Sequence, residues 1–253
     1  MKRIVKLALV CLLSLVVNFT SYAQEDNKKI TVKDIYKDYI FRGKSVYGLR
    51  SMNDGTHYTT LSQGKFIIKY SYKTGNVVDT LFNVNAYEPL KYIFSYHFSN
   101  NEKKILLGTE RDQIYRHSFT AQYYIFNQEN QQLNQLSENG AQRLATFSPD
   151  GSKIGFVRNN NLFYKDLQTG EEVQITDDGK YNHIINGTTD WVYEEEFAFT
   201  QGFHWSPEGD KIAFYKFDES RVKVFHMNMF KGQLYPEDYA FKYPKAGEKN
   251  SIV

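Results

Sequence analysis

The segment Phe147-Ser148-Pro149-Asp150-Gly151-Ser152-Lys153-Ile154-Gly155-Phe156 returns 58 residues later as Trp205-Ser206-Pro207-Glu208-Gly209-Asp210-Lys211-Ile212-Ala213-Phe214. A looser copy, Phe98-Ser99-Asn100-Asn101-Glu102-Lys103-Lys104-Ile105-Leu106, lies 49 residues before the first. In the Ser-Pro-Asp-Gly turn, Pro fixes φ, Asp caps its own backbone and Gly tolerates positive φ. Chance recurrence of a common turn would account for the tetrapeptide, but not for the matching apolar strand after each copy. A second strand follows, Leu162-Phe163-Tyr164-Lys165-Asp166, and then the turn Thr169-Gly170, matched earlier by Lys73-Thr74-Gly75. Such a unit is a four-stranded blade, which cannot bury both faces alone and must stack on neighbours. The repeat therefore predicts an all-β chain, a β-propeller. At roughly 50 to 60 residues per blade, the sequence supplies about four blades, a partial propeller.

Other short apolar or alternating runs bounded by turn residues agree with this reading, among them Lys65 to Tyr70 and Ala121 to Phe126. The 20 tyrosines and 19 phenylalanines favour strands and supply large buried areas. Only Val32 to Phe41 offers a short helical pattern in the leading segment.

Residues 1–23 read as an export signal. Lys2, Arg3 and Lys6 precede an apolar run from Leu7 to Val17, and Ser21-Tyr22-Ala23 places small residues for cleavage before Gln24. That run is shorter than the ~20 residues a membrane-spanning helix needs, so no span is expected after cleavage. Cleavage removes three basic residues and the lone cysteine, Cys11, taking the formal charge of +2 to −1. A periplasmic or extracellular chain without thiols must be held by its core rather than by disulfides. The charge balance argues against nucleic acid as a partner.

Asp190-Trp191-Val192-Tyr193-Glu194-Glu195-Glu196-Phe197 sets three carboxylates against aromatic residues. Acidic groups beside apolar surface are costly unless a cation meets them. On a strand Glu195 and Glu196 would point to opposite faces, whereas on a helical turn they diverge by ~100° and reach one cation together. Asp190 is a suitable N-cap for such a turn. A free ammonium offers three donors to two carboxylates, and a guanidinium fork suits a single carboxylate better. A solvated acidic turn and a metal site fit the same residues, although the spaced Asp/Asn/Gly pattern of a calcium loop is missing. Arg116, in Tyr115-Arg116-His117-Ser118-Phe119-Thr120, could donate to a substrate carbonyl, brace the carboxylates, or extend into water as an edge-strand arginine. No Gly-x-Ser-x-Gly elbow, zinc motif, phosphate loop or dinucleotide fingerprint occurs, so no catalytic residue, metal or cofactor is assigned.

Asn186-Gly187-Thr188-Thr189-Asp190-Trp191-Val192-Tyr193-Glu194-Glu195-Glu196, followed by Trp205-Ser206-Pro207, resembles the double-glutamate region of the dipeptidyl peptidase IV group within the prolyl oligopeptidase family of serine peptidases. Tyr115 to Ala121, Phe217-Asp218-Glu219-Ser220-Arg221-Val222 and Tyr243-Pro244-Lys245-Ala246-Gly247-Glu248-Lys249-Asn250 agree in order along the chain. The resemblance implies an eight-bladed propeller joined to a C-terminal α/β-hydrolase domain, and release of dipeptides from peptides whose second residue is Pro or Ala. It implies that Glu195 and Glu196 hold the substrate α-ammonium and that Arg116 hydrogen-bonds a substrate carbonyl. The Ser-Asp-His triad would then lie beyond Val253, leaving residues 1–253 inactive alone, with 24–45 packing on the hydrolase domain and 46–253 forming the partial propeller. Homodimers are common in the family. A prolyl tripeptidyl peptidase of the same family and a non-catalytic peptide-binding propeller are the alternatives.

Overall fold

The computed structural model describes residues 29–43 and 45–253; the export signal expected over residues 1–23 lies outside them. The chain divides into two compact units after Val46. In the first, Thr31 and Asp34 form a capping box around helix α1 (Val32–Tyr36): the Asp34 amide donates to Thr31 Oγ1 at 3.1 Å and the Thr31 amide to Asp34 Oδ2 at 2.9 Å. The helix is shorter than the sequence pattern, which ran to Phe41, and Tyr39 takes a φ of +50° just past it.

The second unit opens with three antiparallel four-stranded meanders. Strands β1 (Arg50–Ser51), β2 (His57–Ser62), β3 (Phe66–Ser71) and β4 (Val77–Asn83) pair in chain order. So do β5 (Ser95–Phe98), β6 (Lys104–Gln113), β7 (Phe119–Asn127) and β8 (Gln132–Gln135), and then β9 (Arg143–Phe147), β10 (Lys153–Arg158), β11 (Asn161–Asp166) and β12 (Glu172–Gln174). The sheets bury both faces against each other. Ile105 and Leu107 of β6 pack with Ile67 and Phe82 of the first sheet, while Leu106 between them packs with Ile154 and Phe156 of the third. This is why the central strands read as apolar runs rather than alternating ones. Phe203 then joins Val157 and Leu162 in a third cluster. Gly155 permits that approach, because a Cβ there would lie 2.9 Å from the Phe203 ring. The architecture is the expected partial β-propeller.

The repeated turn has one geometry in every copy. Gly151 donates to Ser148 O and Gly209 to Ser206 O, both at 2.9 Å, with φ of +69° and +72°. Each serine hydroxyl also accepts the amide of the following lysine, Lys153 at 2.9 Å and Lys211 at 3.1 Å, which explains the fixed Ser and its five-residue spacing to Lys. In the looser copy Glu102 occupies the glycine position at φ +57° and donates to Ser99 O at 2.8 Å. A further copy escaped the sequence reading. Met52-Asn53-Asp54-Gly55 closes the same turn, Gly55 donating to Met52 O at 3.1 Å, with neither the Ser nor the Pro.

A fourth unit of the propeller, after the three meanders, departs from a regular blade. It consists of two-stranded ribbons: β13 (Ile184–Asn186) with β16 (Lys216–Asp218), β14 (Phe203–Trp205) with β15 (Ile212–Phe214), and β17 (Val224–Met229) with β18 (Glu237–Lys242). The stretch Ile212 to Asp218 changes partner midway because an excursion carrying helix α2 (Trp191–Phe197) leaves after β13 and returns before β14. Gly187 and Gly202 let the two arms of the excursion touch: a Cβ on Gly202 would lie 3.1 Å from the Gly187 carbonyl carbon. Thr188 Oγ1 donates to Thr200 O at 3.0 Å and Thr189 Oγ1 to Phe199 O at 3.1 Å, stapling the neck.

Candidate functional site

Helix α2 begins at Asp190, whose Oδ1 accepts the Tyr193 amide at 2.9 Å, and it ends at Ala198, which takes the left-handed conformation at φ +57°. Its aromatic residues hold it in place. The Trp191 ring lies 4.6 Å from that of Tyr243, and the Tyr193 ring lies 4.9 Å from Phe217 and 5.1 Å from Phe197. The acidic and aromatic residues adjoin in sequence because one short helix sends its rings to packing partners and distributes its carboxylates around the turn.

The three carboxylates have three different environments. Glu194 lies three residues after Trp191, on the face that packs, and is fully buried. Its Oε1 accepts the backbone amides of His117 at 2.7 Å and Ser118 at 2.8 Å. Glu195 is mostly covered and its Oε2 accepts from Arg116 Nε at 2.8 Å. Glu196 is exposed and has no hydrogen bond or ion pair among the described residues. The three residues expected from the sequence, Glu195, Glu196 and Arg116, are thus brought to one place. Arg116 is itself 71% exposed, and its terminal guanidinium nitrogens are unengaged among the described residues. The Tyr115–Ser118 turn presents it, closed by Ile114 N to Ser118 O at 2.9 Å and clamped from below by Glu194.

Sequence reading gave no role to Glu194, and the signal was its three-residue spacing from Trp191. It also missed the polar layer beneath the helix. Asp190 Oδ2 accepts from Ser251 Oγ, and Asp190 and Glu219 are both buried. Burial, and then the negative charge of Asp190, push the Glu219 carboxyl up to about 7, with Lys242 opposing. Burial likewise raises Tyr115, and it raises Tyr181 to about 12. Arg143 is lowered by burial, partly offset by the Glu194 carboxylate and the hydroxyls of Tyr115 and Tyr239. Among the described residues no three His, Cys, Asp or Glu side chains gather to hold a metal ion.

The Glu219 environment has a measurable consequence. Its folded value of about 7 lies above the ordinary 4.5, so the folded chain binds this proton more tightly than the unfolded chain does. Stability is therefore greatest below the ordinary value and falls as pH rises toward 7, by on the order of 3 kcal/mol. Thermal unfolding followed from pH 5 to pH 8 should show Tm falling in the wild type, with Glu219→Gln removing most of that slope. Identical slopes in the two proteins would contradict this origin.

Residues 99–253 match the family model for the dipeptidyl peptidase IV (DPP IV) N-terminal region, which takes in Arg116, Glu194, Glu195, Glu196 and Glu219. The chain belongs to this family. The DPP IV N-terminal region is also found in solved form: the crystal structure of Porphyromonas gingivalis dipeptidyl peptidase 4 superposes with a TM-score of 0.79 at 44% identity, covering 89% of this chain and 33% of that one. Human prolyl endopeptidase FAP is 32% identical over 234 residues, 89% of this chain and 29% of its own. Dipeptidyl-aminopeptidase B of Aspergillus niger is 38% identical over 170 residues, 61% of this chain and 19% of its own. The chain thus spans less than a third of the length of these curated relatives. Within the DPP IV N-terminal region, the excursion bearing α2 and the Tyr115–Ser118 turn form one acidic platform with a cation at its edge.

Proposed function

We propose that this chain is the substrate-anchoring part of an exported serine exopeptidase that releases Xaa-Pro and Xaa-Ala dipeptides from peptide amino ends. Glu195 and Glu196 receive the α-ammonium, whose three donors match the free oxygens of two carboxylates. Arg116 neutralises one side of Glu195 and offers its unengaged nitrogens to a carbonyl of the bound peptide. The bond is broken by a serine in a C-terminal α/β-hydrolase domain of the complete gene product. Cleavage after two residues follows from the fixed distance between the ammonium anchor and that serine.

The observation that carries the reading is the unpaired Glu196 beside a Glu195 already held by Arg116, on a stapled and capped helix. Carboxylates left open on a rigid support are prepared for a cationic ligand, whereas a merely solvated acidic turn has no need of the Glu194 clamp. The names of the relatives, dipeptidyl peptidase and dipeptidyl-aminopeptidase, point the same way.

The test is cleavage of Gly-Pro and Ala-Ala-Pro chromogenic substrates by the complete gene product secreted from its host, with released peptides identified by mass. Release of dipeptides from free-amine substrates, and none by residues 24–253 alone, is expected. Release of tripeptides would replace the reading with a tripeptidyl peptidase. Turnover by residues 24–253 alone would overturn the placement of the nucleophile.

A further inference from the structure

Beside the acidic platform, a cavity of about 690 Å³ is lined by the edge strands β5 and β9 of the second and third sheets. It is walled by Phe94, Phe119, Tyr123 and Phe147, and it reaches His117 and Ser118 on one side and Thr200 and Gln201 on the other. Those two segments directly follow Arg116 and helix α2, so the cavity adjoins the platform without including its carboxylates. Volumes in this range suit small organic ligands.

The electrostatics of the lining are one-sided. Among the described residues that line it, Arg143 is the only formally charged one, with no Asp, Glu or Lys. His97, also in the lining, is pushed down to about 4 by burial and by the charge of Arg50, so it is neutral at pH 7. Arg143 Nε is sealed from solvent and has no hydrogen-bond partner, and the guanidinium makes no ion pair among the described residues. Ser118 Oγ, of another lining residue, is likewise buried and has no hydrogen-bond partner among the described residues. Glu194 supplies a compensating field; its Oε1 accepts two backbone amides, its Oε2 is buried without a partner, and it forms no ion pair with Arg143 among the described residues.

The backbone at Arg143 is also unusual. The next residue, Leu144, sits at φ +59°, and the β9–β10 register breaks so that Val157 pairs with Arg143. A left-handed leucine at a strand irregularity re-aims the adjoining side chain at a local cost, which is characteristic of positions serving a site. A half-buried guanidinium that lines an aromatic cavity and makes no hydrogen bond or ion pair among the described residues is completed by an acceptor that takes two of its donors, and a carboxylate does so bidentately.

We propose that this cavity is a carboxylate-binding site that takes a short peptide by its free C-terminal end, with Arg143 and Ser118 as the polar contacts and the aromatic walls around the side chains. The assignment of a dipeptide rests on the exopeptidase reading, since dipeptides ending in a free carboxylate are the product of that reaction; the carboxylate chemistry does not.

N-acetyl-Gly-Pro separates the two claims because it keeps the carboxylate and lacks the ammonium. Titration calorimetry on the complete gene product is expected to show saturable binding of N-acetyl-Gly-Pro, unchanged in Glu196→Gln. Arg143→Gln should weaken it about 10- to 100-fold, and Ser118→Ala less. The C-terminal amide of the same ligand should bind the wild type at least about tenfold more weakly, a comparison that needs no variant. Absence of saturable binding to the wild type, equal binding of acid and amide, or full affinity in a folded Arg143→Gln would each overturn the site. Failure of the exopeptidase reading would appear instead as absent cleavage of Gly-Pro chromogenic substrate while N-acetyl-Gly-Pro still bound.

Discussion

Glu196→Gln in the complete gene product is expected to lower kcat/KM on free-amine dipeptide substrates by about 30-fold to several thousandfold. The range corresponds to the ~2–5 kcal/mol that follows when one partner of a desolvated, hydrogen-bonded charge pair is truncated. Glu196 is exposed and unpaired in this structure, so the substitution removes nothing from the fold. Its cost arises only when a peptide ammonium covers it. Folding stability should therefore stay within about 0.5 kcal/mol of wild type, while the kinetic loss is large. Glu195→Gln should match it kinetically and also free Arg116, which now pairs with Glu195 at 2.8 Å. Steady-state kinetics beside thermal unfolding make the comparison; a variant with wild-type kcat/KM would remove Glu196 from the anchor.

Glu194→Ala is expected to act in the opposite way, through the scaffold. Its carboxylate satisfies two backbone amides, those of His117 and Ser118, from a fully buried position. Hydrogen bonds to charged groups contribute about 1.5–3 kcal/mol each, and the orphaned amides would remain out of water. A loss of roughly 3–5 kcal/mol on denaturant unfolding is expected, together with loss of activity, because the turn presenting Arg116 loses its clamp. Glu194→Gln keeps an acceptor oxygen and should recover part of both. Unchanged stability in Glu194→Ala would show that the turn is held by other contacts, such as Gln113 Nε2 to Ser118 O at 3.1 Å.

Much of this arrangement was readable from residues alone, for identifiable reasons. The Ser-Pro-Asp-Gly turns were visible because their geometry depends on side chains that few others replace: a hydroxyl accepting the amide of the following lysine and a glycine at positive φ. The turn at Met52 was hidden because no serine hydroxyl takes part in it; Asp54 Oδ1 accepts the Thr56 and His57 amides instead, leaving only Asp54 and Gly55 as signals. Asp190 as N-cap and the helical placement of Glu195 and Glu196 followed from local rules that the structure obeys. The fourth unit was read as another blade because its strands carry the right pattern. Its division into ribbons comes from the excursion between Gly187 and Gly202, a tertiary arrangement with no periodic trace in the sequence. Arg143 and the Asp190–Glu219 pair lie far apart in sequence from the groups that give them meaning, so local pattern was silent on both.

The most direct test is a crystal structure of the complete gene product with an uncleaved Xaa-Pro peptide bound. The peptide nitrogen should sit within hydrogen-bond distance of both the Glu195 and Glu196 carboxylates, with an Arg116 terminal nitrogen on a peptide carbonyl. A peptide bound with its amino end elsewhere, while both glutamates face open solvent, would contradict the account at its centre.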